Sequence, residues 1–189
     1  MARQQAPGTR ERILDTAARL FTAHGVRAVG MQRIVDECGC GKNLLYREFP
    51  SKDALVVAHL ARLREIWLAQ VHATLAPLAD DPAAQLVALA ELAAAQVAEA
   101  GYRGCAFRNC LTEFPRHRVG RFAAEHLADV RAQVGELAGR TGAARPELLA
   151  ERVWLAIEGM YASAAHPGGE RAGEVAVALV AELTRPTRA

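Results

Sequence analysis

A chain of 189 residues is long enough to bury a sizeable core, as one large domain or two small ones. A net charge of +2 excludes a polybasic nucleic-acid coat, and an alanine- and leucine-rich composition with 5% aromatics favours an all-α fold. The charge is unevenly placed: residues 1–60 carry 9 Lys and Arg against 6 Asp and Glu, the remainder 14 against 15. A mildly basic head therefore precedes a near-neutral body, an arrangement suited to meeting phosphates with one end.

The opening MARQQAPG reads as a short disordered stretch around Pro7 and Gly8 and lacks the apolar core of a signal peptide. No run of about 18 uncharged apolar residues is present to span a membrane. The expectation is a cytoplasmic protein with no membrane partner, in which Cys38, Cys40, Cys105 and Cys110 are reduced thiols. Thr9 is the expected cap of a first helix. Its face is traced by Ile13, Ala17, Leu20, Phe21 and His24, and Gly25 stops it. In Met31–Phe49, Ile34, Val35 and Cys38 fall at helical spacing, and Gly39-Cys40-Gly41 then breaks the helix. A second short helix from about Lys42 to Arg47 points Leu45 and Phe49 inward and leaves Lys42, Asn43, Leu44, Tyr46 and Arg47 less constrained. Helix, glycine turn and helix make a helix-turn-helix, the unit that lays its second helix in a DNA major groove. A helical hairpin that binds no DNA carries the same local pattern.

Pro50-Ser51 punctuates the chain, and Ser51 is the expected cap of a long helix to about Leu75, with Val56, Leu60, Leu63, Trp67 and Val71 on one stripe. PLADDP is a loop, and Asp81-Pro82 opens the next helix with a cap and a first-turn proline. That helix runs to about Ala100. After the turn Gly101–Gly104, CAFRNCLTEF forms a short apolar helix ended by Pro115. A helix from about Arg116 to Arg140 follows, with Val119, Phe122, His126, Val130, Val134 and Leu137 on its stripe. The last two helices, about Pro146–Ala165 and Gly173–Leu183, carry more apolar surface than one subunit can cover. Leu149, Val153, Ala156 and Met160 lie on one face of the first, Trp154, Ile157 and Tyr161 on another, and VAVALVA is apolar all round. The dimer interface is therefore expected at Val153, Ala156, Met160, Val175 and Leu179, as a four-helix bundle.

The flanks of the motif sharpen its reading. TRERILDTAARLFTAHG precedes it and PSKDAL follows, and together these resemble the DNA-binding domain of the TetR family of transcriptional regulators. Ile13, Leu14, Ala17, Leu20, Phe21 and Gly25 match that family's first helix, and Leu45, Tyr46, Phe49, Lys52 and Leu55 match the run that follows its turn. Val29-Gly30 and Gly41 stand where the family has capping Thr-Ser and Ser, and Asn43-Leu44 replaces a common Gly-Thr pair. The resemblance implies that Tyr46 and Lys52 contact phosphates. Asn43 and Leu44 lie where side chains reach base edges, suiting adenine N6/N7 and a thymine methyl. Lys42, Arg33 and Arg47 complete the DNA-binding set, the two arginines as weaker phosphate candidates with a solvated face as the alternative. The run Arg103–Phe107, with Asn109 and Glu113-Phe114, also looks like the ligand-binding part of one large TetR subgroup.

Residues recurring on inward stripes outline a mostly apolar small-molecule site: Trp67, Phe107, Cys110, Phe122, His126, Trp154, Glu158 and Tyr161. His126 reads either as a core histidine with one satisfied hydrogen bond or as a polar group of that pocket. Cys38-x-Cys40 is too tight for structural zinc, and Cys105 and Cys110 lie five apart, so the thiols are read as inert, with no metal and no cofactor. No catalytic set is visible, and the protein is read as no enzyme.

The combined expectation is a helix-turn-helix domain over 1–50 and a helical ligand-binding and dimerisation domain over 51–189. As a homodimeric repressor it would bind double-stranded operator DNA with recognition helices roughly 34–36 Å apart and be released by a small-molecule effector. The alternatives are a thiol- or metal-responsive sensor on the same fold, and an enzyme using the body cavity.

Overall fold

A computed structural model describes residues 8–185; the disordered start expected from the sequence lies, apart from Gly8, outside the described residues. Those residues form nine helices and a 3-10 turn and no strand: α1 Thr9–His24, α2 Met31–Cys38, α3 Lys42–Glu48, α4 Lys52–Leu75, the turn Ala76–Leu78, α5 Pro82–Val97, α6 Ala106–Glu113, α7 Arg118–Arg140, α8 Pro146–Ser163 and α9 Ala172–Leu183. The punctuation works as its chemistry dictates. The Ser51 hydroxyl accepts from the Ala54 N–H at 3.1 Å, and the Asp81 carboxylate from the Ala84 N–H at 2.9 Å. Thr9 is the first residue of α1 rather than its cap, which is Gly8.

The packing forms two compact units. The first holds the chain through Arg64 together with Ala106–Ala124, so α6 and the start of α7 group with the helix-turn-helix. Ile13, Ala17 and Leu20 of α1, Ile34 of α2, Leu45 of α3 and Phe49 after it are buried, as are Leu55, Val56 and Leu60 of α4. His59 is buried as well and meets Phe21 edge-on at 5.6 Å between ring centroids. The α1–α2 loop is tied to α6, because Arg27 donates to the Glu113 carbonyl at 2.6 Å and lies over the Phe114 ring. Gly120 permits a close turn here, since a Cβ at that position would run into the Phe114 carbonyl.

The second unit, Glu65–Cys105 with the chain from Glu125 on, has its own core of Trp67, Val71, Leu86, Leu89, Val134, Val153, Ile157, Met160, Tyr161, Ala176 and Val180. Gly173 lets α9 approach α5: a Cβ there would sit 3.1 Å from the Ala94 Cβ.

The five residues expected at the interface are placed differently. Val153 and Met160, at 0% and 2% exposure, are sealed inside their own unit, and Ala156 is half-buried beside them. They share the α8 face that carries Leu149 and Ile157, and α9 covers it. The VAVALVA run has one side inside the unit and one side outside. Ala176 and Val180 point into the core, while Val175 and Leu179 stand 56% and 43% exposed. Leu155 on α8, which the sequence reading passed over, is 66% exposed.

Candidate nucleic-acid interface

α3 has only seven residues, too few to hold itself as a helix in water, so its position comes from burial at its inner edge. Leu45 and Phe49 supply that anchor, at 0% and 1% exposure. The Phe49 N–H returns to the Leu45 carbonyl at 2.8 Å, and the Arg10 guanidinium covers the Phe49 ring at 4.3 Å. With the inner side fixed, Lys42, Asn43, Tyr46 and Arg47 are exposed on the outer side and Leu44 is half-buried at its margin. Residues 43, 46 and 47 stand at i, i+3 and i+4, hence on one face.

Lys52 stands at the first turn of α4, next to the Ser51 cap. Its ammonium donates to the Arg27 carbonyl at 3.2 Å. Partial burial draws its pKa below the usual lysine value, against the opposing pull of Asp53 and Glu113. A helix N-terminus beside a lysine favours a phosphate, and the hydrogen bond to Arg27 fixes where the cation sits. The other candidates are engaged differently. Arg33 reaches Glu37 at 3.3 Å and His24 at 2.8 Å, and Glu37 also takes Arg19 at 2.7 Å. The Arg19 hydrogen bond, followed by that of Arg33, holds the Glu37 carboxyl below the usual range. Arg47 is 3.7 Å from Glu48. Neither α2 nor α3 has a side-chain cap, as Gly30 and Gly41 led one to expect.

The turn departs from expectation in one respect. Cys38 and Cys40 are joined by a disulfide rather than standing as reduced thiols, whereas Cys105 and Cys110 remain thiols. Gly39 between them is in the left-handed region at φ 62°, and the two Cα atoms are 5.4 Å apart, inside bridging range. The sequence reading holds a thiol-responsive sensor as an alternative but does not pair Cys38 with Cys40. Arg27, which orients Lys52 through its carbonyl, also went unnoticed, because nothing in a loop arginine's sequence context marks its backbone as an acceptor.

The expected ligand residues divide between the units. Phe107, Cys110 and Phe122 belong to the first, the former two buried and Phe122 half-buried. Trp67, His126, Trp154, Glu158 and Tyr161 belong to the second. There Trp67 and Tyr161 join one core, His126 is buried, and Trp154 and Glu158 are half-buried on the α8 stripe that also carries Tyr161. The Tyr161 hydroxyl donates to the Gln96 side-chain carbonyl at 2.8 Å. The buried Trp67 indole N–H meets no acceptor among the described residues. A separate open cleft of about 260 Å³ between α7 and α8 is lined by Gly135, Gly139, Pro146, Glu147, Ala150 and Glu151, none of them in the expected set. Among the described residues no cluster of His, Cys, Asp and Glu is placed to hold a metal ion, and no helix is long and apolar enough to cross a membrane.

A helix-turn-helix with a buried inner edge and a polar, partly basic outer face, carried on a chain of helices, defines a DNA-binding transcriptional regulator. Residues 13–59 match the family model for bacterial regulatory proteins of the tetR family. Over the whole length, the chain is similar to the TetR-family regulator SCO4454 of Streptomyces coelicolor, at 29% identity with 93% of each chain covered and a TM-score of 0.86. It is also similar to a tetR-type regulator, sav143, of Streptomyces avermitilis, at 30% identity over 91% of this chain and 88% of that one, TM-score 0.69. The chain belongs to the TetR family. Among curated proteins, the HTH-type transcriptional regulator Rv1255c of Mycobacterium tuberculosis is 44% identical over 52 residues, a match spanning only 28% of this chain and 26% of that protein.

Proposed function

We propose that the protein is a homodimeric repressor whose α3 helices bind successive major grooves of an operator and which a small, mostly apolar molecule releases. The observation that carries the DNA half is the two-sided α3: Leu45 and Phe49 locked inward, Asn43, Tyr46 and Arg47 presented together outward. In this reading Tyr46 and Lys52 hold phosphates and set the register, and Asn43 and Leu44 read bases. Lys42 and Arg47 add phosphate contacts at the rim, and Arg33, already bound to Glu37 and His24, adds least.

Effector binding is proposed in the body, around Trp67, His126, Trp154, Glu158 and Tyr161. Support comes from the aromatic side chains of α4 and α8 and from the buried Trp67 N–H, a donor suited to one acceptor on an otherwise apolar ligand. Such a ligand lowers operator affinity only if it binds the DNA-incompetent geometry more tightly than the competent one. The test is to select bound duplexes from a random-sequence pool and to measure affinity by fluorescence anisotropy at several salt concentrations. A palindromic consensus with half-sites about one helical turn apart is expected. No enrichment over the starting pool would end the reading.

A further inference from the structure

The turn of the helix-turn-helix carries chemistry that DNA binding does not use. Cys38 is the last residue of α2, and Cys40 stands just before Gly41, the cap of α3. Their disulfide closes a small ring over Gly39. Cys38 is half-buried and Cys40 buried, so Cys38 is the more accessible residue of the pair. The Cys38 Sγ also lies 3.7 Å from the Val35 carbonyl, an acceptor ready for its thiol once the bridge is open.

The rest of this turn is thinly tied. No side chain caps either helix, and among the described residues the Gly39 N–H at the end of α2 makes no capping hydrogen bond of the kind Gly25 makes to Phe21 at the end of α1. α3 starts from the Gly41 carbonyl, which accepts from Leu44 and Leu45 at 2.9 and 3.1 Å. The crosslink thus supplies the restraint that capping side chains give other helices.

We propose that Cys38 and Cys40 form a thiol–disulfide switch that sets how firmly the recognition helix is held, with the oxidised form binding operator more tightly. The inference rests on the operator reading above. The oxidant class is a hydroperoxide. The Cys38 thiolate attacks its O–O bond, giving the Cys38 sulfenic acid and hydroxide or alkoxide. The Cys40 thiol then attacks the sulfenic sulfur, the S–S bond forms, and the hydroxyl leaves as water with the Cys40 proton. In sum, two thiols and one hydroperoxide give a disulfide, one water and one further water or alcohol. A dithiol reductant reverses this through a mixed disulfide.

The test uses the full chain and the duplex selected above, after treatment with hydrogen peroxide or with a phosphine reductant. Denaturing alkylation with mass readout is expected to count two more thiols after reduction, mapped to the Cys38–Cys40 peptide. Operator affinity should fall about two- to thirtyfold on reduction, the range that loss of a helix cap corresponds to. Amide exchange across residues 39–48 should quicken in the same sample. Cys38→Ser/Cys40→Ser should bind like the reduced protein and ignore peroxide, while Cys105→Ser/Cys110→Ser keeps the response. Equal affinity in both redox states, tighter binding on reduction, or a peroxide response that survives Cys38→Ser/Cys40→Ser would each overturn the switch. If the serine pair unfolds the head, the two treatments of the natural chain still decide. Failure of both redox forms to select any DNA would sink the operator reading, and the switch with it.

Discussion

Lys52 illustrates how a single side chain is prepared for phosphate. Its ammonium is partly desolvated and held by the Arg27 carbonyl, so little rotamer freedom remains to be lost on binding. Lys52→Ala and Tyr46→Phe should therefore weaken binding to all duplexes alike. Lys52→Ala should also flatten the slope of log affinity against log salt by about one. Asn43→Ala should instead relax the preference at one base pair, by about 1–3 kcal/mol. A Lys52→Ala protein with unchanged affinity and slope would remove the phosphate role. His59 offers a second residue-scale test. Burial, helped by nearby Arg62, depresses its pKa to about 4 from the usual histidine value of 6.5. The unfolded chain then binds the extra proton first, so stability is full above about pH 6.5 and drains as pH falls towards 4. The loss approaches about 3 kcal/mol at 1.36 kcal/mol per unit. His59→Leu should abolish that component, and urea melts of both proteins at pH 7 and pH 4.5 measure the difference.

At the scale of the element, α3 cannot stand without its anchor. Leu45→Ala removes a fully buried side chain and should cost about 2–5 kcal/mol, with loss of DNA binding even though Leu45 faces away from the groove. Chemical denaturation with an intrinsic fluorescence or circular dichroism readout checks it. This anchor was legible in the sequence because Leu45 and Phe49 sit four apart behind a glycine turn, a pattern local enough to need no tertiary knowledge. The caps at Ser51 and Asp81 were legible for the same reason. The faces of α8 and α9 were not. Both helices are apolar over most of their circumference, so periodicity says that they are buried without saying by what. Only the packing reveals that Val153 and Met160 serve their own unit while Leu155 looks outward. Likewise, the Cys38–Cys40 pairing needs the two side chains turned toward each other, a direction that spacing alone does not report.

At the scale of the molecule, the open question is what covers Leu155, Val175 and Leu179. Leu155, Gly159 and Ala162 are exposed along one side of α8, and Val175, Ala178 and Leu179 along one side of α9. Large side chains alternate there with small ones, which lets helices approach closely, and a patch of this kind is uncommon on a monomer. We propose it as the isologous face of the dimer, in place of Val153, Ala156 and Met160. The two sets give opposite signatures. Met160→Ala should cost about 2–5 kcal/mol of fold stability and leave the association state intact at concentrations where the protein remains folded. Leu155→Glu and Leu179→Glu lie on the surface of the isolated subunit, so each should leave the fold intact yet place unpaired carboxylates in a bundle seam. Sedimentation equilibrium at micromolar concentration should then return the monomer mass. Operator affinity should collapse in step, since a single head makes half the contacts. A natural chain that sediments as a monomer, or a Leu155→Glu/Leu179→Glu double variant that stays dimeric and binds operator normally, would show that this face is not where two copies meet.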